Sequence, residues 1–301
     1  MLLKDLSEAR GVSGDEGAVR EVLLGALDGW VDEHRVDALG NLICLRKARV
    51  AREEGRWPRT VMVTAHMDEV GLMITGINSD GTLRFAKVGG IDDRVLLSKQ
   101  VLVGKDAVPG VIGYAPIHLI PAADRQKAPD AGRAAIDIGA TSKAGAERLV
   151  KLGDYATFRT GFQVLDEEGA RTVKGKAFDD RAGCAALVEL LRADYAVDLY
   201  AVFTTQEEAG LRGARVAAYA VHPDVAFSLE GTICDDLPKK DDVSPVTEVG
   251  KGPAIKVKDS GMLAHPGVKE WMMRTAEARG IPYQLEVLQH GTTDAMAMQT
   301  S

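Results

Sequence analysis

Downstream of Lys174, short apolar runs alternate with stretches of helical periodicity, and this alternation limits the fold more than any other feature of the chain. Ala182, Ala185, Leu187, Val188 and Leu191 share one helical face; the apolar run Leu199–Thr205 follows, then a helix over Leu211–Ala220. Val225–Leu229 and Ala254–Val257 read as further strands, Pro266–Arg279 as a helix with proline near its first turn, and Tyr283–Leu288 as the last strand. Upstream, Val61-Met-Val-Thr-Ala65 is the kind of run that fills a fully buried strand. Strands alternating with helices imply crossover connections. The expected fold class is α/β, with a mostly parallel central sheet flanked by helices.

Between about Glu69 and Phe158 the texture changes. Glycines punctuate the β-type runs Leu72–Ile77, Leu83–Val88, Val101–Val103 and Val111–Tyr114, with Asn78-Ser-Asp-Gly81 as a hairpin turn. This predicts an inserted small β-barrel-like domain over residues 69–163, leaving residues 1–68 and 164–301 as a discontinuous main body. Pro121–Arg133 is polar and expected to be a mobile loop. Near the start, Ser13-Gly-Asp-Glu16 has the spacing of a capping box before a helical Val19, Val22, Leu23, Ala26 and Leu27. Asn41–Leu45 reads as a strand, and the basic stretch after it as a solvated loop.

The 301 residues include 37 basic and 44 acidic side chains, a formal charge of −7, and 46% are hydrophobic. That apolar fraction supports a real core and excludes disorder as the main state. The acidic balance argues against a nucleic-acid partner, which normally wants a basic footprint. Cys44, Cys184 and Cys234 are too few and too scattered for a disulfide framework or a thiolate zinc site. They are expected to be reduced, buried thiols. Charges within the first ten residues speak against a signal peptide, and no apolar stretch approaches the ~20 residues of a membrane helix. The expectation is a soluble, cytoplasmic protein that engages neither nucleic acid nor membrane.

Acids and one histidine recur at equivalent places in the alternating pattern. His66 and Asp68 follow the Val61–Ala65 run, Glu207-Glu208 follow Leu199–Thr205, Glu230 follows Val225–Leu229, and Asp179-Asp180 open a helix. Each has a plain structural reading on its own. Asp68 could merely orient His66, Asp179-Asp180 could be a helix N-cap, and Glu207-Glu208 could complement a helix dipole. Together they differ, because open α/β sheets bind ligands beyond the carboxyl ends of their strands. Unpaired carboxylates after buried strands are costly there, and a shared cation removes that cost. One imidazole with several carboxylates and no thiolate suits Zn²⁺, Co²⁺ or Mn²⁺. Two such ions bridged by a carboxylate and a water form a hydrolase centre, with a neighbouring glutamate to take the proton.

The segments Ala65-His-Met-Asp-Glu-Val-Gly71, Ala177-Phe-Asp-Asp-Arg-Ala-Gly183, Gln206-Glu-Glu-Ala-Gly-Leu-Arg-Gly-Ala214 and Gly291-Thr-Thr-Asp294 resemble those of the tetrahedral (TET) and glutamyl aminopeptidases. These are dinuclear zinc or cobalt metallopeptidases, some once labelled endoglucanases. Asp37-Ala-Leu-Gly-Asn41, Gly110–Tyr114 and Asp259-Ser-Gly-Met-Leu-Ala264 extend the likeness along the chain. The resemblance implies a zinc-peptidase-like main body and an insert that serves dimerisation. It implies that His66, Asp179 and Glu230 hold one metal, and that Asp179 bridges to a second, which Glu208 also binds. Glu207 would be the general base and Asp68 would orient His66. The substrates would be short peptides with a free N-terminus, and the dimers would assemble into a tetrahedral dodecamer.

Three departures from the family pattern shape the expectations. Position 230 is Glu where the family usually has Asp, and Gly291 follows His290 where another glycine is commoner. The sequence stops at Ser301, whereas the family continues into a segment whose histidine completes the second metal. His290 is one substitute for that ligand, while His265 reads as part of a turn into a helix. The first metal is therefore expected to persist and the second to bind weakly. The alternatives are a homologue that keeps the fold without turnover and a glycoside hydrolase using Glu207 with another acid. The latter leaves His66 unused, and aromatic residues at 5% offer few sugar-stacking platforms.

Overall fold

The computed structural model describes residues 1–51, 55, 59–169, 171–234 and 246–301. Two helices, α1 (Leu2–Glu8) and α2 (Gly17–Leu27), precede strands β1 (Glu33–Val36), β2 (Leu42–Arg46) and β3 (Thr60–His66). The chain then builds β4 (Gly71–Ile77), β5 (Leu83–Val88), β6 (Gln100–Val103), β7 (Val108–Gly113), β8 (Ala135–Asp137), the short α3 (Lys143–Ala146) and β9 (Tyr155–Phe158). A two-residue hairpin pair, β10 (Gln163–Val164) and β11 (Val173–Lys174), leads back to α4 (Phe178–Leu190), β12 (Asp198–Thr204), α5 (Arg212–Val221) and β13 (Val225–Ser228). The chain closes with β14 (Ala254–Lys258), α6 (Pro266–Ala278), β15 (Gln284–Val287) and α7 (Asp294–Gln299).

The central sheet runs β1-β2-β12-β3-β13. The three strands that lead into the acids, β12, β3 and β13, are parallel, as the alternating pattern requires, and β2 and β1 extend one side in antiparallel pairing. The α/β class therefore holds, in a mixed sheet. Period-two alternation sorts the strand residues between two helical layers. Val63, Ala65, Ala201 and Phe203 face Leu6, Val19, Leu23, Cys184 and Leu187 of α1, α2 and α4. Met62, Val202 and Ile43 face Ala217 and Ala218 of α5. Each fully buried Leu, Val, Ile, Met or Phe side chain among them stabilises the fold by about 1.5–3 kcal/mol, and each buried alanine methyl by about 0.8 kcal/mol.

Strands β14 and β15 do not continue this sheet. They pair with each other in parallel, joined through α6, as a separate two-stranded unit. The local pattern marks them as strands but carries no information on which neighbour they choose. The Ser13–Glu16 capping box also fails: Glu16 occupies the N-cap position of α2, and no side chain caps that helix. Long-range partners, described below, take both side chains instead.

Strands β4–β9 close into an antiparallel barrel of order β4-β5-β8-β7-β6-β9. Its interior is filled by Leu72, Ile74, Leu83, Val101, Val103, Ile112 and Ile136. The Asn78–Gly81 turn forms as read, with Asn78 N–H donating to the Thr82 carbonyl at 2.8 Å. Gly81 is required there, since its φ is +93° and a Cβ would lie 2.7 Å from the Ala140 carbonyl oxygen. Within the 121–133 loop, Ala122–Asp124 and Ala131–Arg133 form single 3₁₀ turns. Of the basic stretch after β2, residues 52–54 and 56–58 lie outside the described residues. Cys44 and Cys184 are buried as expected, but Cys234 is exposed. Among the described residues no helix is long and apolar enough to cross a membrane.

Candidate metal centre

Parallel pairing sets Thr204 of β12 beside His66 of β3, and Ser228 of β13 beside Thr64. The segments after these strands therefore leave from one edge of the sheet, where the backbone amides of Met67 and Leu229 bond back to the Thr204 and Thr64 carbonyls at 2.7 and 2.8 Å. His66 ends β3 with its ring buried, and its Nε2 lies 3.2 Å from Asp179 Oδ1 and 3.1 Å from Glu230 Oε1. One donor atom from each of these three residues falls within 4.8 Å of the others. Asp179 is 58% exposed, against 1% for His66 and 14% for Glu230, so the group opens to solvent on the Asp179 side.

The start of α4 is built to present Asp179. Asp179 and Asp180 have non-helical dihedrals, the peptide between them is cis, and Ala177 before them has φ 54°. The two aspartates divide the work. Asp180 points inward, accepting from the His66 N–H at 3.2 Å and capping the regular part of the helix through the Gly183 N–H at 3.0 Å. Asp179 projects toward His66 Nε2. The N-cap reading thus applies to one member of the pair and ligand-type placement to the other.

Asp68 lies beneath the group, fully buried. His66 Nδ1 is 3.1 Å from the Asp68 carbonyl and 3.5 Å from its carboxylate. The carboxylate itself accepts from the Ser13 hydroxyl at 2.6 Å and from the backbone N–H groups of Glu207 and Glu208 at 3.0 and 3.1 Å. Asp68 therefore holds the Glu207–Glu208 turn as well as the histidine. Glu207 and Glu208 sit before α5, whose first residue is Arg212, so they are not first-turn dipole partners.

The electrostatics are those of an acid-crowded pocket. Burial, then the charges of Glu230, Asp294 and Glu208, raises Glu207 to about 9 against the pull of His66. Burial, with Asp179, Asp68 and Glu230, raises Glu208 to about 7. Asp180 and Glu230 are likewise raised, first by burial. Burial opposes a charged His66, but hydrogen bonds to Asp179, Asp68 and Glu230 outweigh it and hold the imidazole well above its ordinary value. This donor set fits a divalent ion, because buried carboxylates competing for one imidazole lack the positive charge that such an ion brings.

The sequence-derived residues are thus divided by the fold. His66, Asp179 and Glu230 form the close trio, Asp68 supports it, and Glu207 and Glu208 stand beside it on their own turn. His290 and His265 are exposed, and among the described residues no second histidine joins the group. One further buried acid has no role that the sequence assigns. Asp294, at the start of α7, accepts from Thr204 Oγ1 at 2.6 Å, and its other oxygen has no hydrogen-bond partner. Burial raises it to about 7. Its place in the Gly291–Asp294 motif was the available signal.

An α/β body with an imidazole and carboxylates gathered beyond its parallel strands, and a barrel inserted after the first of them, defines a hydrolase of the peptidase class. The family model for the M42 glutamyl aminopeptidases matches residues 40–301, and a model named AMPT matches residues 1–23. The chain belongs to the M42 glutamyl aminopeptidase family and is a peptidase. It is 34% identical over 311 residues to the lysyl aminopeptidase of Pyrococcus furiosus, spanning 99% of this chain and 84% of that protein. The crystal structure of a TET aminopeptidase from the marine sediment archaeon Thaumarchaeota archaeon SCGC AB-539-E09 superposes with TM-score 0.92 at 36% identity, covering 100% of this chain and 84% of that one. The TET1 peptidase of Pyrococcus horikoshii, which assembles into a tetrahedron or a large octahedral shell, gives TM-score 0.85 at 35% identity over 99% of this chain and 87% of that one.

Proposed function

We propose that the chain is a metal-dependent aminopeptidase that removes N-terminal residues from short peptides. The observation that carries this reading is the meeting of His66, Asp179 and Glu230 within 4.8 Å at the carboxyl edge of the parallel strands. These three would hold one divalent ion, zinc or cobalt, and the solvent-facing Asp179 would share a second with Glu208. Bound there, such ions polarise the scissile carbonyl and lower the pKa of a water toward about 7.

The protein's own groups supply the remainder. Glu207 is the general base: once the surrounding negative charge is balanced, its carboxyl gives up the proton that crowding holds on it, and it can accept one and pass it to the leaving amine. Asp68 keeps the His66 ring and the Glu207 backbone in fixed relation through the contacts described above. A free α-ammonium suits an acid-rich pocket, whereas an internal peptide segment offers no charge to place there, which favours cleavage at chain ends. The similarity to shell-forming TET peptidases and the exposed Val111, Ile117 and Leu119 of the insert support a homo-oligomer built from barrel-mediated dimers, with the tetrahedral dodecamer as its form. The glycosidase reading leaves the close trio without a task.

Hydrolysis of aminoacyl-anilides by the chelator-stripped chain, with zinc or cobalt restored, tests the reading. Activity should depend on the added ion and fall by about 10²–10⁴ in Glu207→Gln. Metal analysis should find one ion held firmly on the His66 trio and a second held weakly. Chelator-insensitive activity would sink the proposal, and firm metal binding without turnover would point to the non-catalytic alternative.

A further inference from the structure

The turn carrying Glu207 and Glu208 is held by side chains from elsewhere in the chain. Four consecutive backbone N–H groups each donate to a side-chain oxygen. Thr205 donates to Asn41 Oδ1 at 3.0 Å, Gln206 to Glu16 Oε1 at 3.2 Å, Glu207 to Asp68 Oδ1 at 3.0 Å and Glu208 to Asp68 Oδ2 at 3.1 Å. Gln206 has φ 55°, a left-handed conformation that a non-glycine residue holds only when its surroundings enforce it. Part of that enforcement comes from the segment whose spacing imitates a capping box, through Glu16 directly and through Ser13 by way of Asp68. Glu16 is 3% exposed and its Oε1 also accepts from the Gly14 N–H at 2.7 Å, while Ser13, 4% exposed, donates to the same Asp68 oxygen that receives Glu208.

From this we infer that Ser13 and Glu16 are positioning residues for the peptidase reaction: they fix the turn that aims Glu207 and Glu208, 190 residues away along the chain in the case of Glu16 and Gln206. The inference rests on Glu207 being the general base. Glu16 acts on the amide immediately before that residue, and Ser13 acts through Asp68, setting which way its carboxylate faces the two glutamate amides. An Ser-x-x-Glu bracket used locally would stabilise one helix end; used across the molecule it preorganises a catalytic turn that belongs to no helix or strand.

The test is steady-state kinetics of the metal-loaded chain, normalised to folded protein, with bound metal measured for each variant. Ser13→Ala and Glu16→Ala should lower kcat by roughly 10–100-fold with KM changed less than about threefold and metal content retained. Glu16→Gln, which keeps an acceptor oxygen at the same place, should restore most of the lost kcat. Leu23→Ala, on the core-facing side of α2, should lower thermal stability while leaving kcat per folded molecule unchanged. If Glu16→Ala and Ser13→Ala keep kcat within about twofold, or lose it only in step with stability as Leu23→Ala does, the inference fails. Should Glu16→Ala not fold, Ser13→Ala, which deletes one hydroxyl, decides the matter alone. Glu207→Gln in the same series separates the two ideas: full activity there overturns the base assignment, whereas its loss beside unaffected Ser13 and Glu16 variants overturns only the positioning role.

Discussion

Replacing Arg181 by leucine should detach the N-terminal segment from the site. The guanidinium is fully buried and gives all its reach to backbone oxygens: Nε to Met67 at 2.7 Å, Nη1 to Leu6 at 2.6 Å and Ala9 at 3.2 Å, and Nη2 to Gly11 at 3.4 Å. It also stands 3.8 Å from the Glu69 carboxylate. Hydrogen bonds from a charged donor contribute about 1.5–3 kcal/mol each, so the two short ones alone reach about 3–6 kcal/mol. Relief of the desolvation that a buried guanidinium suffers offsets part of this, leaving a net loss of about 4 kcal/mol. With an unfolding entropy near 2.1 cal/mol/K for each of 301 residues, that lowers the melting temperature by about 6 °C. Urea denaturation gives the global loss, and hydrogen exchange of residues 1–12 gives the local one, with exchange expected to rise there first. Arg181→Lys, keeping the charge but losing the fork, should fall between wild type and leucine. A loss under about 1 kcal/mol, or one without faster exchange at Leu6–Gly11, would refute the reasoning.

Stripping divalent ions should destabilise the protein, and restoring zinc or cobalt at a hundred times its dissociation constant should return about 2.7 kcal/mol, a rise of about 4 °C. His66→Ala should abolish that rise, and an undiminished rise in the variant would count against the trio as the binding site. In the metal-free protein Glu207, Glu208 and Asp294 have pKa values of about 9, 7 and 7, above their ordinary 4.5, 4.5 and 3.8. The folded chain then binds protons that the unfolded chain releases, so stability falls as pH rises from about 4.5 toward about 9. Melting curves of the stripped protein should shift downward between pH 6 and pH 8.5, and an upward shift would contradict the assignment.

What could be read from the sequence was what local pattern encodes. Leu83–Val88 emerged at its observed bounds because a glycine-bearing turn precedes it and its apolar residues fit a strand. Pattern placed His66, Asp68, Asp179, Asp180, Glu207, Glu208 and Glu230 just beyond strand runs or at a helix start, where parallel order brings such places together; the family resemblance singled out His66, Asp179 and Glu230 among them. Where a residue's task depends on a distant partner, local pattern misled. The Ser13–Glu16 spacing is that of a cap, yet Ser13 donates to Asp68, and the Glu16 carboxylate accepts the distant Gln206 amide together with the local one of Gly14. Asp294 gains its meaning only when α7, packed on α5 and β13, brings its carboxylate to Thr204 at the end of β12. Likewise, β14 and β15 form a pair of their own by a choice of neighbour that no periodicity records.

The point at which the barrel is inserted explains a buried ion pair that stability alone would not favour. The chain leaves the main body just after Asp68, enters β4 at Gly71, and returns through β11 and Lys176 to Asp179, so both connections run beside the residues that form the site. Lys176 Nζ meets Glu69 Oε1 at 2.6 Å, with side chains only 8% and 4% exposed, and donates also to the Ala9 carbonyl at 2.8 Å. Glu69 in turn accepts the Gly11 N–H at 3.2 Å. An apolar pair of similar volume would avoid the desolvation of two charges. It would also let the outgoing and returning segments slide past one another, because van der Waals contact has little directional preference. The ion pair ties the two crossings at one defined point, three residues from Asp179 and one from Asp68. That tie is one of the links through which a force applied to the barrel reaches the trio, and it holds both crossings in place beside a site that tolerates little displacement.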